Sequence, residues 1–315
     1  MTLVWILLGL VAAVLLISYG CYRLACYVPA RKDLPEDSIE IPEGEIYEPY
    51  REKMENWIRA ARKLPQKDVE ITSFDGLKLR GKFYEFAPGA PVEIMFHGYR
   101  GSAERDMSGG VERCFKVRRS ALVVEQRGSR GSEGNTITFG INEYRDCLEW
   151  VDFTIDYLGQ DIKIILTGIS MGASTVMLAA GQKLPPNVIG ILADCGYTSA
   201  KEIMYHVMRQ MKLPPKPCYP FVKLGARIFG RFDLDGDSPK EAMKRCTLPV
   251  IFYHGEDDDF VPCSMSRENF EACGGRKRLV TVPGAGHGLS YAVEPERYLQ
   301  ELRDFFGPEG SYPEE

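Results

Sequence analysis

No charged side chain occurs before Arg23, and the apolar run from Leu3 to Ile17 is interrupted only by Gly9. Wound as a helix at ~1.5 Å per residue, the uncharged stretch from Met1 to Tyr22 reaches about 33 Å, enough to cross a hydrocarbon layer of ~30 Å. A cleaved signal peptide is the rival reading. It would carry a Lys or Arg ahead of the run and an A-x-A-like site behind it, and neither is present. We therefore expect a retained single-pass transmembrane anchor over residues 1–22. Arg23, Arg31 and Lys32 follow it, while only an amino group precedes it. The positive-inside bias then places the C-terminal bulk in the cytoplasm.

Composition restricts the partners of that bulk. The chain has 315 residues and a formal net charge of −5, so the basic footprint that a nucleic-acid binder needs is missing. Nine cysteines occur without a C-x-x-C pair, and four histidines accompany them. That set suits reduced, buried thiols better than a metal cluster or a disulfide framework, so no metal is expected.

Residues 31–50 carry Asp33, Glu36, Asp37, Glu40, Glu43, Glu45 and Glu48 around Pro35 and Pro42, a pattern that reads as a solvated connector. An amphipathic helix is expected over Pro49–Leu64, giving a juxtamembrane unit of residues 23–64. Beyond it the pattern alternates. Val69–Ser73 and Leu77–Phe86 flank an Asp75-Gly76 turn and read as a hairpin. Apolar runs follow at Val92–Phe96, Ala121–Val124, Lys163–Thr167, Val188–Ala193, Pro249–Tyr253 and Arg278–Val282. Helical-period segments such as Asn142–Tyr157, Ser174–Lys183 and Pro295–Phe306 separate most of them. Eight strands alternating with helices predict an α/β domain over 65–315, with a mostly parallel sheet covered on both faces. The interval of about 196–246 is far longer than a strand connection needs, and predicts an inserted helical cap.

Chemistry concentrates at Gly168-Ile169-Ser170-Met171-Gly172, between the Lys163–Thr167 strand and a helical Ala173–Ala180. A strand, tight turn and helix lift a serine hydroxyl clear of the backbone, and small neighbours permit the turn. Serine needs a base, and the base needs an orienting acid. His97 and His254 end strands, and His206 lies in the proposed cap. His287 follows the last strand in a glycine loop, Pro283-Gly284-Ala285-Gly286-His287-Gly288, and is the candidate base. The acid is one of the four consecutive carboxylates Glu256, Asp257, Asp258 and Asp259. The order Ser, acid, His matches one of the known triad arrangements.

These features resemble the α/β-hydrolase superfamily, in its serine-aminopeptidase-type and prolyl-oligopeptidase-like branch, and especially small bacterial membrane-anchored members. The likeness runs from about Val69 to Phe306. It rests on His97-Gly98-Tyr99-Arg100-Gly101, Gln126-Arg127-Gly128, Ser132-Glu133-Gly134, Gly168 to Gly172, His254 to Pro262, and Gly286-His287. The resemblance implies that Asp258 is the acid, within H-G-x-x-D-x-x-V-P. It also implies that the backbone N–H groups of Tyr99 and Met171 form an oxyanion hole, and that no cofactor is used. Where relatives carry D-x-R-G-H-G, this chain has Glu125-Gln126-Arg127-Gly128-Ser129-Arg130, a departure at the pocket wall.

The combined expectation is a membrane-anchored serine hydrolase with a Ser170–His287–Asp258 triad, acting on a small or lipid-like acyl ester. Peptidase, thioesterase and acyltransferase chemistries use the same triad. A catalytically silent scaffold is the non-enzyme alternative. The mixed apolar and basic stretch from Ala200 to Cys246 suggests a lid whose apolar face covers an acyl pocket.

Overall fold

The computed structural model describes residues 1–29, 35 and 37–313. Arg31, Lys32, Asp33 and Glu36, which entered the orientation and connector expectations, lie outside the described residues. The chain opens with helix α1 (Thr2–Ala25), long and apolar enough to cross a bilayer by length and composition. Its outer part is exposed, but Ser18 and Tyr22 are buried. Helix α2 (Arg51–Lys63) follows a 3-10 turn at Glu48–Tyr50.

Eight strands form one sheet: β1 (Lys67–Thr72), β2 (Lys78–Tyr84), β3 (Val92–Phe96), β4 (Ser120–Val124), β5 (Ile164–Ile169), β6 (Val188–Asp194), β7 (Val250–Gly255) and β8 (Lys277–Val282). Their spatial order is β1-β2-β4-β3-β5-β6-β7-β8. β1 and β2 pair antiparallel with Thr72 opposite Lys78, and Gly76 supplies the positive φ of +91° that their turn requires. β2 meets β4 antiparallel, and the rest of the sheet is parallel. β3, β4 and β7 are buried at every position, as strands covered on both faces must be.

The intervening helices are α3 (Ala103–Lys116), α4 (Glu143–Leu158), α5 (Met171–Ala180), α6 (Ala200–Gln210), α7 (Pro215–Gly225), α8 (Pro239–Arg245), α9 (Cys263–Ala272), α10 (Ser290–Val293) and α11 (Pro295–Phe306). One core joins the sheet to Trp150 and Val151 of α4, Val176 and Met177 of α5, and Met243 of α8. On the other side, Leu299, Leu302 and Phe305 of α11 pack on Ile165 and Ile251, while α3 packs on Met95 and Val123. The inserted interval supplies α6, α7, a π-helical turn at Ala226–Gly230 and α8. Its Met204, Met208, Tyr219 and Val222 form a cluster with Tyr22, Cys26 and Val28 of the chain's start. A Cβ on Gly225 would stand 2.2 Å from the carbonyl oxygen of Ser18, so glycine permits this close helix contact.

The described part of the acidic stretch runs as a strap along the domain, with Glu43, Glu45 and Glu48 exposed and other residues in contact with it. Ile41 is buried, and Glu40 pairs with Arg105 at 3.7 Å and also with Arg130. Ile41, Ile46 and Tyr47, interleaved among the acids, supply apolar contacts that the charge count concealed.

Candidate active site

Ser170 sits between β5 and α5 with φ 57° and ψ −117°, a conformation that costs a non-glycine residue ~1–3 kcal/mol. Neighbouring glycines make it possible. A Cβ on Gly168 would lie 2.1 Å from the backbone of Gly172, and one on Gly172 only 1.9 Å from the carbonyl oxygen of Phe96. The start of α5 is thus pressed onto the end of β3, and the Ser170 N–H donates to the Asp194 carbonyl at 2.8 Å.

His287 reaches this turn from the loop after β8, between Gly284 and Gly288, both with positive φ. Its Nε2 is 2.9 Å from Ser170 Oγ, and its Nδ1 is 2.7 Å from Asp258 Oδ2. In the tautomer that makes both bonds, the hydroxyl donates to Nε2 and Nδ1–H donates to the carboxylate. The other oxygen of Asp258 accepts the N–H groups of Phe260 (3.0 Å) and Val261 (2.8 Å). Burial opposes ionisation of Asp258, but hydrogen bonds with His254 and His287 outweigh it and hold the carboxyl well below the usual range.

The neighbouring acids are differently employed. Glu256 accepts from Thr281 Oγ1 at 2.6 Å, Asp257 is exposed, and the Asp259 carbonyl accepts from Gln210 at 2.5 Å. Of the other histidines, His97 Nε2 accepts from the Gln126 N–H at 3.1 Å. His254 contacts Ser266 Oγ at 2.6 Å, and His206 faces the Asp259 carbonyl at 3.2 Å.

Tyr99 lies in the loop after β3, and Met171 is the first residue of α5. A Cβ on Gly98 would come within 3.5 Å of the Ser170 Cβ, so this loop rests against the serine. Asp106 Oδ2 accepts the Gly98 N–H at 2.9 Å, and Arg105 Nε holds the other oxygen at 2.6 Å. Arg105 in turn faces Glu40 on the strap. The sequence reading missed Tyr47, Arg105 and Asp106 because their roles arise from contacts between distant segments.

A cavity of about 720 Å³ opens at Ser170 and His287. Ile41 and Tyr47 of the strap, Trp57, Met107, Phe260 and Tyr291 contribute to its wall. None of its lining residues falls in 200–246, so the strap and α2 occupy the side where a cap was expected to cover the pocket. At its floor, Asp194 accepts from Ser290 Oγ (3.1 Å) and the Tyr298 hydroxyl (3.2 Å), and burial pushes its carboxyl up. The departing segment at 125–130 lies elsewhere. Arg127 grips Asp146 with two bonds of 2.7 Å and Asp75 with bonds of 2.9 and 3.3 Å, tying the β1–β2 turn to α4. As for metals, Cys195, Asp258 and His287 place donor atoms within 4.8 Å of one another, but the histidine and carboxylate donors already bond to each other.

No family model matches the chain. The chain is 26% identical over 187 residues to the uncharacterized protein YqkD of Bacillus subtilis, an alignment covering 59% of this chain and 61% of that protein. It is 24% identical over 305 residues to the uncharacterized protein Rv2307c of Mycobacterium tuberculosis, covering 95% and 92%. Among solved structures, the Pyrococcus furiosus esterase Pf2001 superposes with a TM-score of 0.65 at 21% identity, covering 89% of this chain and 97% of that one. The chain has the α/β-hydrolase fold. In this fold, the ends of β5, β7 and β8 bring Ser170, Asp258 and His287 to one edge of the parallel sheet.

Proposed function

We propose that this protein is a serine hydrolase that cleaves carboxylic esters through an acyl-enzyme. The observation that carries the reading is the position of His287, bonded on one side to Ser170 and on the other to Asp258. Ser170 Oγ attacks the ester carbonyl while His287 Nε2 takes its proton. The Tyr99 and Met171 N–H groups then receive the oxyanion. Collapse breaks the acyl–oxygen bond, and His287 returns the proton to the leaving alcohol. Water, deprotonated by the same imidazole, attacks the acyl-serine and releases the acid. Asp258 holds the Nδ1–H tautomer and balances the imidazolium.

Similarity to an esterase structure and a cavity walled in part by apolar side chains support the ester reading. The run from His254 to Pro262 favours the serine-aminopeptidase-type and prolyl-oligopeptidase-like branch of the fold. Burial of Ser18 and Tyr22 inside the folded domain favours a retained anchor over a cleaved signal, and Arg23 directly after the uncharged stretch supports a cytoplasmic domain through the positive-inside bias. A fluorophosphonate probe tests the chemistry: wild type labels, and Ser170→Ala does not. Equal labelling of the two, or none of either, overturns the reading.

A further inference from the structure

The inner end of α1 is joined to the loop that carries the proposed oxyanion donor. Leu24 and Ala25 occupy the last turn of α1, where backbone carbonyls have no acceptor role left inside the helix. The Tyr99 hydroxyl donates to the Ala25 carbonyl at 2.8 Å. Arg100 Nη2 donates to the Leu24 carbonyl at 2.7 Å and to that of Tyr27 at 3.3 Å. A guanidinium there also complements the negative end of the helix dipole.

Two further features bear on the loop. Arg100 has φ +53°, a left-handed conformation unusual for a side chain of its size. The Tyr99 ring stacks on Phe139 with centroids 5.4 Å apart. The end of α1 is itself fixed to the domain. Cys26 O accepts the Ile137 N–H at 2.8 Å, Val28 N–H donates to Asn135 O at 2.9 Å, and Tyr22 and Thr136 share a side-chain bond of 2.7 Å.

We propose, on the reading of Ser170 as nucleophile, that Tyr99 and Arg100 are positioning residues through which the end of the anchor helix sets the oxyanion loop. The helix end is then part of the catalytic scaffold as well as a tether. Its carbonyls hold two consecutive side chains and thereby the backbone N–H of Tyr99, which directly follows Gly98, the residue that rests against Ser170. The exposed turns further out make none of these bonds.

The test uses the full-length chain in detergent micelles, with a short nitrophenyl ester and kcat expressed per site that a fluorophosphonate can label. Tyr99→Phe keeps the ring stack and the backbone N–H but loses the bond to Ala25. Arg100→Gln loses the bonds to Leu24 and Tyr27. Each is expected to lower kcat five- to thirtyfold with KM within twofold, because the oxyanion is bound only after attack. Asp75→Asn weakens the tie from the β1–β2 turn to Arg127, away from α1 and the loop, and is expected to lower the unfolding midpoint while kcat per labelled site stays within twofold. The proposal is overturned if both loop variants retain wild-type kcat per site, or if KM rises while kcat holds. A wild type that neither labels nor hydrolyses the ester instead overturns the reading of Ser170 beneath it.

Discussion

The phenol of Tyr47 donates a hydrogen bond to the backbone carbonyl of His287 over 3.1 Å, so a residue of the strap holds the loop that carries the proposed base. Ile46 lies against the same loop, 3.1 Å from where a Cβ on Gly286 would stand. Removing the hydroxyl leaves the ring in place and frees the His287 carbonyl. A single hydrogen bond of this kind is worth ~1 kcal/mol, or about fivefold. Tyr47→Phe is therefore expected to lower kcat/KM about fivefold without loss of folding, as measured with a nitrophenyl ester.

Asp258 should be far less tolerant. Asparagine at this position presents an amide to Nδ1 and favours the wrong imidazole tautomer, an effect of roughly 10⁴ in kcat where such triads are intact. Asp258→Asn is expected to fall by that order, with fluorophosphonate labelling slowed in parallel. Normal labelling by this variant would remove Asp258 from the triad.

The same carboxyl sets an acid limit. Its folded-state pKa is depressed, so its contribution to stability is present above the ordinary aspartate value of ~3.9 and is lost as pH falls from there towards the folded value. The stability difference between wild type and Asp258→Asn is expected to be constant above about pH 5 and to narrow below pH 4. Denaturant midpoints across that range measure it, and a difference that widens on acidification would contradict the assignment of charge.

At Gly172 the prediction concerns the fold as much as the site. A methyl group there would meet the carbonyl oxygens of Phe96 and His97, at 1.9 and 2.8 Å, and these belong to backbone and cannot swing aside. Gly172→Ala is expected to cost about 3 kcal/mol, the upper end of ordinary overpacking, and to abolish labelling at Ser170. Urea unfolding reads the first effect directly.

How far the site could be read from sequence follows from how local each part is. Ser170 was legible because its strand, turn and helix are contiguous, and the two flanking glycines mark the close approach that shapes it. His287 and Asp258 were legible as residues at strand ends, although the choice of Asp258 among four acids needed a family pattern. Its decisive feature, bonds from the Phe260 and Val261 N–H groups, belongs to the folded turn. The strap was hidden because three apolar residues were scattered through an acidic run. Helix α3 went unrecognised because Gly109 and Gly110 break its propensity. Those glycines leave room for Trp57 and Met95, whose atoms a Cβ would approach to 2.7 Å. The docking of α1 had no local signal, since an apolar helix reads the same whether its end is free or held.

The shape of the cavity leads to a preference among substrates. Its apolar wall includes Ile41, Trp57, Met107 and Tyr291, and a volume of about 720 Å³ exceeds what an acetyl group fills. Each methylene moved from water onto such a wall is worth up to ~0.8 kcal/mol, or nearly fourfold in kcat/KM if the transition state gains it fully. The buried Asp194 and Arg113 at the floor oppose unlimited extension, because an alkyl chain lying over them offers no hydrogen bond. We expect kcat/KM to rise from acetyl to about hexanoyl esters and then level off. Ala292→Phe, which fills the cavity from α10, should move the optimum towards shorter chains while leaving acetyl ester hydrolysis within about threefold. Nitrophenyl esters of graded length, assayed on the full-length chain, measure both. A steady fall from acetyl to octanoyl would mean that the acyl group does not enter this cavity and that its apolar wall serves the leaving group or the strap's own packing.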